Sequence, residues 1–179
     1  MIIFVESMPH NSMKKVLFLD FDGVLNTGKY QNQLKNNGQK MADEFGLCLF
    51  DPEAVENLKT ILEAVPETLI VITSSWKDAY GPNAVRRMWK ERGMPGKIHS
   101  MTRVCMDFFP DLESGEMPPI KGPEVKQWLE EHDMKGCKYV ILDDVQDFLP
   151  EQKSHIALID PNIGISKEDA DNAVSLLHN

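Results

Sequence analysis

An α/β fold on a mainly parallel, five-stranded sheet is predicted for this chain of 179 residues. Three observations predict it. Short apolar runs alternate with helical patterns along the chain, as parallel strands joined by right-handed crossovers require. The runs are continuous rather than alternating, which suits strands covered on both faces. Polar residues, aspartates above all, follow the runs directly, and ligands of open parallel sheets bind beyond strand carboxyl ends.

The elements follow in order. Lys14–Asp20 (KKVLFLD) is a buried strand rich in Val, Leu and Phe. Residues 23–50 carry Gly23, Gly28, Asn36, Asn37, Gly38 and Gly46, and read as a long loop or flap with room for a short helix. Asp51-Pro52 is an N-cap followed by Pro at the first helical position. Val55, Leu58, Ile61 and Leu62 then recur at helical spacing until Pro66. Thr68–Thr73 (TLIVIT) is the second strand. A helix opens at Pro82, runs through Val85, Met88 and Trp89, and closes at Gly93. Residues 97–105 hold a third strand, and 106–121 are loop-like, with Pro110, Gly115, Pro118 and Pro119. Pro123 starts a helix with Val125, Trp128 and Leu129 on one face. Lys138–Leu142 (KYVIL) and His155–Ile159 (HIALI) are the last strands, and a final helix follows Ser166 as N-cap. Met13 precedes the first strand directly, so residues 1–12 read as an extension. Residues 13–179 read as one domain with a short flap at 26–50.

Composition narrows the function. No apolar run approaches the roughly 20 residues that span a bilayer, so a cytoplasmic, non-membrane protein is expected. The net charge of −9 argues against sequence-independent nucleic-acid binding. That charge is uneven: residues 75–103 carry seven Lys/Arg against two Asp/Glu, and residues 104–151 carry four against twelve. Cys48, Cys105 and Cys137 are odd in number and far apart, and read as reduced thiols. Trp89 and Trp128 fall on apolar helix faces and read as core. Trp76 reads as a core or rim residue, with stacking on a base as the rarer alternative.

The residues after the strands carry the chemistry. Asp20 and Asp22 follow the first, Thr73, Ser74 and Ser75 the second, and Asp143, Asp144 and Asp147 the fourth. Carboxylates forced together repel, and a divalent cation relieves that repulsion. An all-oxygen donor set favours a hard ion, Mg²⁺ over Zn²⁺.

VLFLDFDGVLN (Val16–Asn26) resembles the first motif of the haloacid dehalogenase (HAD) superfamily, and VITSSW (Val71–Trp76) its second. Lys121 at the head of a helix resembles the third, and ILDD (Ile141–Asp144), with Asp147 beyond, the acidic fourth. IKGPEVKQWL and VILDDVQDF also resemble the compact HAD domain of "Swiss Army Knife" RNA-repair proteins. The resemblance implies a three-layer Rossmann-like fold with a minimal cap or none. It implies an Mg²⁺-dependent phosphomonoester hydrolase with Asp20 as nucleophile and Asp22 as general acid and base. Mg²⁺ would be held by Asp20, the backbone carbonyl of Asp22, and Asp143 or Asp144. Thr73, with Ser74 as its competitor, would bind phosphate oxygens. Lys121, with Lys126 as runner-up, would neutralise the phosphoryl group. Asp147 would bind the metal directly, bind it through water, or brace Lys121.

The expected partner is a phosphorylated substrate, a small molecule or a nucleic-acid end; no obligate protein partner is evident. Two alternatives stand beside a general phosphatase. One is a 3′- or 5′-phosphatase acting on nucleic-acid ends, with Arg103 the basic residue nearest the site. The other is a non-hydrolytic phosphoryl-receiving or binding module. In receiver domains the lysine comes last, whereas here it precedes the final acidic pair.

Overall fold

The computed structural model describes residues 13–105 and 120–178. The extension expected at 1–12 and most of the loop expected at 106–121 lie outside the described residues. Five strands form one sheet: β1 (Lys15–Leu19), β2 (Leu69–Ile72), β3 (Ile98–Met101), β4 (Lys138–Asp143) and β5 (Ile156–Leu158). All neighbours pair in parallel, in the order β3-β2-β1-β4-β5. The chain builds outward from β1 in one direction, then returns to add β4 and β5 on the other side. The strand order therefore reverses at β1, which opens a crevice at its carboxyl end.

Alternate residues of β1 face opposite layers. Leu17 and Leu19 pack into a core with α2 (Pro52–Ala64), α4 (Pro82–Glu91) and α6 (Lys167–His178). Val16 and Phe18 pack on the other face with Val125, Trp128 and Leu129 of α5 (Lys121–Glu131). All four of these β1 side chains are fully buried. Trp89 and Trp128 are core residues, as expected. The indole of Trp89 donates to the Gly96 carbonyl (3.3 Å) and that of Trp128 to Ser100 Oγ (2.8 Å), so neither N–H is stranded.

The caps follow the sequence. Asp51 accepts from the Glu53 N–H (3.0 Å) at the head of α2. Ser166 and Asp169 form a reciprocal cap at the head of α6, with Ser166 Oγ accepting from the Asp169 N–H (3.2 Å).

Two elements sharpen the expectation. The segment read as a loop or flap with room for a short helix contains α1 (Gly28–Asn36), whose side chains bury Leu34 alone. This helix lacks an apolar stripe and is fixed by contacts outside itself. Thr27 Oγ1 accepts from the Tyr30 N–H (3.1 Å) and donates to Asp51 Oδ2 (2.7 Å). Helix α5 starts at Lys121, two residues before the proline expected to open it. Pro123 is tolerated there because N–H groups in the first turn have no intrahelical partner to lose. A short α3 (Trp76–Ala79) and a 3-10 helix at Pro150–His155 complete the described residues.

Candidate active site

Each strand end is held one rung beyond its strand. The Asp20 N–H donates to the Leu142 carbonyl (3.1 Å), and the Thr73 N–H to that of Leu19 (2.9 Å). The polar residues after β1, β2 and β4 are thereby locked at one edge of the sheet.

There the carboxylates of Asp20, Asp143 and Asp144 converge, each offering an oxygen within 4.8 Å of the others. Lys121 reaches into this group from the first residue of α5. Its Nζ donates to Asp20 Oδ2 (2.6 Å) and Asp143 Oδ2 (2.8 Å). The remaining oxygens take backbone donors: Asp20 Oδ1 from Phe21 (2.8 Å) and Asp143 Oδ1 from Val145 (3.1 Å). Burial and then the charge of Asp20 push the Asp143 carboxyl up to about 7, although Lys121 opposes the rise. The same two causes raise Asp144. Burial pulls Lys121 down, but Asp20 and Asp143 more than offset it, so it is raised and stays charged. Three close carboxylates are thus only partly satisfied by one ammonium. The donor set of this all-oxygen group fits a hard divalent ion.

Lys121 is aimed by its backbone. Both carboxylate oxygens of Asp147 accept from the Ile120 N–H (3.0 Å), and Oδ2 also from the Lys121 N–H (3.2 Å). Gln152 bridges the next turn: Nε2 donates to the Gly122 carbonyl (2.9 Å) and Oε1 accepts from the Leu149 N–H (2.9 Å). A methyl group on Gly122 would lie 2.6 Å from the Leu149 nitrogen, so the close approach needs glycine. Of the three uses open for Asp147, its side chain makes the contact that braces Lys121.

Asp22 stands outside the carboxylate group and is exposed. Asn26 Nδ2 donates to its Oδ1 (2.6 Å), and the indole of Trp76 donates to its Oδ2 (2.9 Å). Trp76 is buried, and it packs between Phe21, Phe50 and Tyr80. The sequence read Trp76 as core or rim, which it is, but gave no sign of its donor role. Asn26 was within reach of inference, since it lies four residues from Asp22 in a tight turn.

The two hydroxyl candidates separate. Ser74 is buried with Oγ accepting from the Trp76 N–H (3.4 Å). Thr73 is also buried, and its Oγ1 has no hydrogen-bond partner. A buried hydroxyl without a partner is costly, and one aimed at a ligand site is a ready donor. Lys126 is exposed and lies 3.8 Å from Glu151, while Arg103 pairs with Glu131 (2.7 Å). Neither joins the carboxylate group.

Gly23 sits under Asp144 at φ +70°, and a methyl group on it would lie 2.4 Å from Asp144 Oδ2. Gly23→Ala is expected to lower stability by about 1–3 kcal/mol, because it adds both overpacking and left-handed strain. Urea unfolding measures this; an unchanged midpoint would contradict the close contact.

Residues 16–170 match the family model described as the HAD domain in Swiss Army Knife RNA repair proteins. No curated protein matches the chain. The match takes in most of the chain, including Lys121 and the whole carboxylate group, and the parallel sheet agrees with it. The chain therefore belongs to the HAD family found in these RNA-repair proteins.

Proposed function

We propose that this protein is an Mg²⁺-dependent phosphomonoester hydrolase that works through an aspartyl-phosphate on Asp20. The observation that carries the reading is a group of three carboxylates, two of them paired with one half-buried lysine, with a buried, unpartnered threonine hydroxyl at the end of the neighbouring strand. Asp20, Asp143 and Asp144 would hold the ion by their carboxylates, and Asp22 by its backbone carbonyl. When bound, Mg²⁺ supplies positive charge that screens the attacking carboxylate from the phosphoryl oxygens.

The chain's own residues then divide the work. A carboxylate oxygen of Asp20 attacks phosphorus and the ester P–O bond breaks. Its electrons leave on the alkoxide oxygen, which takes a proton from Asp22. Water next attacks phosphorus and gives a proton to Asp22, and the bond to Asp20 breaks to release inorganic phosphate. Asp22 is thereby reprotonated. Asn26 and Trp76 support its intervening carboxylate by donating one hydrogen bond to each oxygen. Thr73 Oγ1 donates to a phosphoryl oxygen, and Lys121 offsets charge on the transferring group.

The test is a hydrolysis panel with Mg²⁺ and with chelator, across nucleotides, sugar phosphates, phosphopeptides and end-phosphorylated oligonucleotides. Metal-dependent phosphate release supports the reading; no turnover of any ester would overturn it. A second reading, in which the ester is a nucleic-acid end, is favoured by the matched family. Within the basic segment Lys77 is buried and Arg92 half-buried, while Arg86, Arg87, Lys90, Lys97 and Arg103 are exposed. Arg86 donates to the Ile98 and His99 carbonyls, and Arg92 to Asp43 and the Leu47 and Cys48 carbonyls.

Ion binding is expected to be pH-dependent. Asp143 titrates near 7 without metal, so below that pH the ion must displace a proton. Apparent Mg²⁺ affinity should fall by up to about tenfold per pH unit below 7. Calorimetry in buffers of different ionisation enthalpy should show proton release at pH 6 and little at pH 8. Equal affinity at both would contradict a role for Asp143 in holding the ion.

A further inference from the structure

We infer that a buried ion pair, Lys77 with Glu124, is a positioning device that fixes Thr73 relative to Lys121. The inference rests on the phosphatase reading above. Lys77 lies on α3, four residues past Thr73, and Glu124 lies on α5, three residues past Lys121. Their Nζ and Oε2 are 3.2 Å apart, with side chains 3% and 4% exposed. Thr102, at the end of β3, donates to the same Oε2 (2.7 Å), and its own N–H is tied to the Ile72 carbonyl (3.0 Å). Three elements thus meet at one carboxylate: the corner after β2, the end of β3 and the first turn of α5. Asp78 also contacts Lys77 Nζ (2.6 Å) from a half-exposed position.

The two phosphate-gripping groups come from opposite sides of this junction. On the β4 side, Asp147 and Gln152 anchor the head of α5. On the β2 side, the Lys77–Glu124 contact is the ion pair that joins α3 to α5 among the described residues. Burying two opposite charges is often no more stabilising than packing two apolar side chains of similar size. What an ion pair adds is a directed, short contact, and the spacing between a hydroxyl and an ammonium that must grip one phosphoryl group depends on such contacts. Lys77 pairs with Asp78 and Glu124, outside the carboxylate group, so it acts through the junction of α3 and α5.

Stability and catalysis can be separated by variants. Lys77→Met leaves the Glu124 charge buried with its main partner gone, and its Tm should drop. Lys77→Met/Glu124→Gln removes both charges and keeps an acceptor for Thr102, so its Tm should return towards the wild type. Turnover should not return with it. Both variants should lose at least about tenfold in kcat/KM on an ester that the wild type hydrolyses, with kcat and KM both affected. Affinity for inorganic phosphate in the presence of Mg²⁺, read by calorimetry, should fall in parallel, and this readout needs no turnover. A double variant with wild-type kcat/KM and phosphate affinity would overturn the inference while leaving the phosphatase reading intact. A double variant whose kcat/KM and Tm recover together would overturn it as well, by making the pair merely structural. A wild type that neither hydrolyses an ester nor binds phosphate would overturn the phosphatase reading and this inference with it. Glu124→Gln alone, isosteric with the native residue, serves if the methionine variants fail to fold.

Discussion

Asp20→Asn is expected to lower ester turnover by at least about 10³-fold, because the amide cannot form the acyl phosphate and nothing nearby replaces it. The neighbouring carboxylates are poor substitutes. Asp143 is fully buried, with one oxygen held by the Val145 N–H and the other by Lys121. The loss should not come from unfolding. In the metal-free protein Asp20 contributes to raising Asp143 to about 7, against an ordinary value of 3.8. A carboxyl raised on folding stays protonated in the native state while the unfolded chain ionises. Its penalty therefore grows as pH rises from about 4 and is complete above about 7. Removing the Asp20 charge relieves part of that penalty, and Asp143, then ionised more readily, keeps Lys121 paired when the Asp20 contact is lost. Metal-free Asp20→Asn should therefore be at least as stable as the wild type at pH 8, with a smaller difference at pH 4. Urea unfolding at the two pH values checks this, and a variant both inactive and strongly destabilised at pH 8 would contradict it.

Lys121→Met separates catalysis from ion binding in the opposite way. Turnover should fall by about 10²–10⁴-fold, the range for losing a charge aimed at the transferring group. Metal-free stability should also fall. Asp20 and Asp143, whose side chains are 6% and 0% exposed, would lose the ammonium that pairs with them. Breaking such a pair costs about 3–5 kcal/mol where the orphaned charge persists. Here Asp143 can stay protonated instead, so the cost should shrink as pH falls towards 5. Mg²⁺ should then bind more tightly than to the wild type, since the ammonium no longer competes for the same oxygens. Saturating Mg²⁺ should restore much of the lost stability through linkage. Weaker Mg²⁺ binding in Lys121→Met would show that Lys121 organises the carboxylates rather than competing for them.

The sheet and most of the helices were legible in the sequence because each rests on a local pattern. The strand LIVI is apolar throughout, and Asp51-Pro52 and Ser166 are caps that the structure uses. Helix α1 was legible only as room for a short helix, without its bounds. Its residues are polar, and what holds it, Thr27 on Asp51, joins positions 24 residues apart. The residues of the candidate site were legible where chemistry followed a strand directly, as at Asp20, Thr73 and Asp143, and where it headed a helix, as at Lys121. They were not legible where a side chain works across the fold. Trp76 looked apolar until its indole met Asp22, 54 residues away. Nothing in the sequence around Gln152 signals that its side chain clasps Gly122, 30 residues away. A count of charges over residues 75–103 likewise does not reveal that Lys77 is buried in an ion pair with Glu124.

The central claim is that Asp20 carries the phosphoryl group between two half-reactions. The direct measurement is acid quenching during single turnover of a hydrolysed ester, followed by mass spectrometry of the intact chain and its peptides. A transient phosphoryl adduct on the peptide containing Asp20, absent from Asp20→Asn, is the predicted result. Phosphate release without an adduct at any quench time, or an adduct on a different residue, would contradict the account.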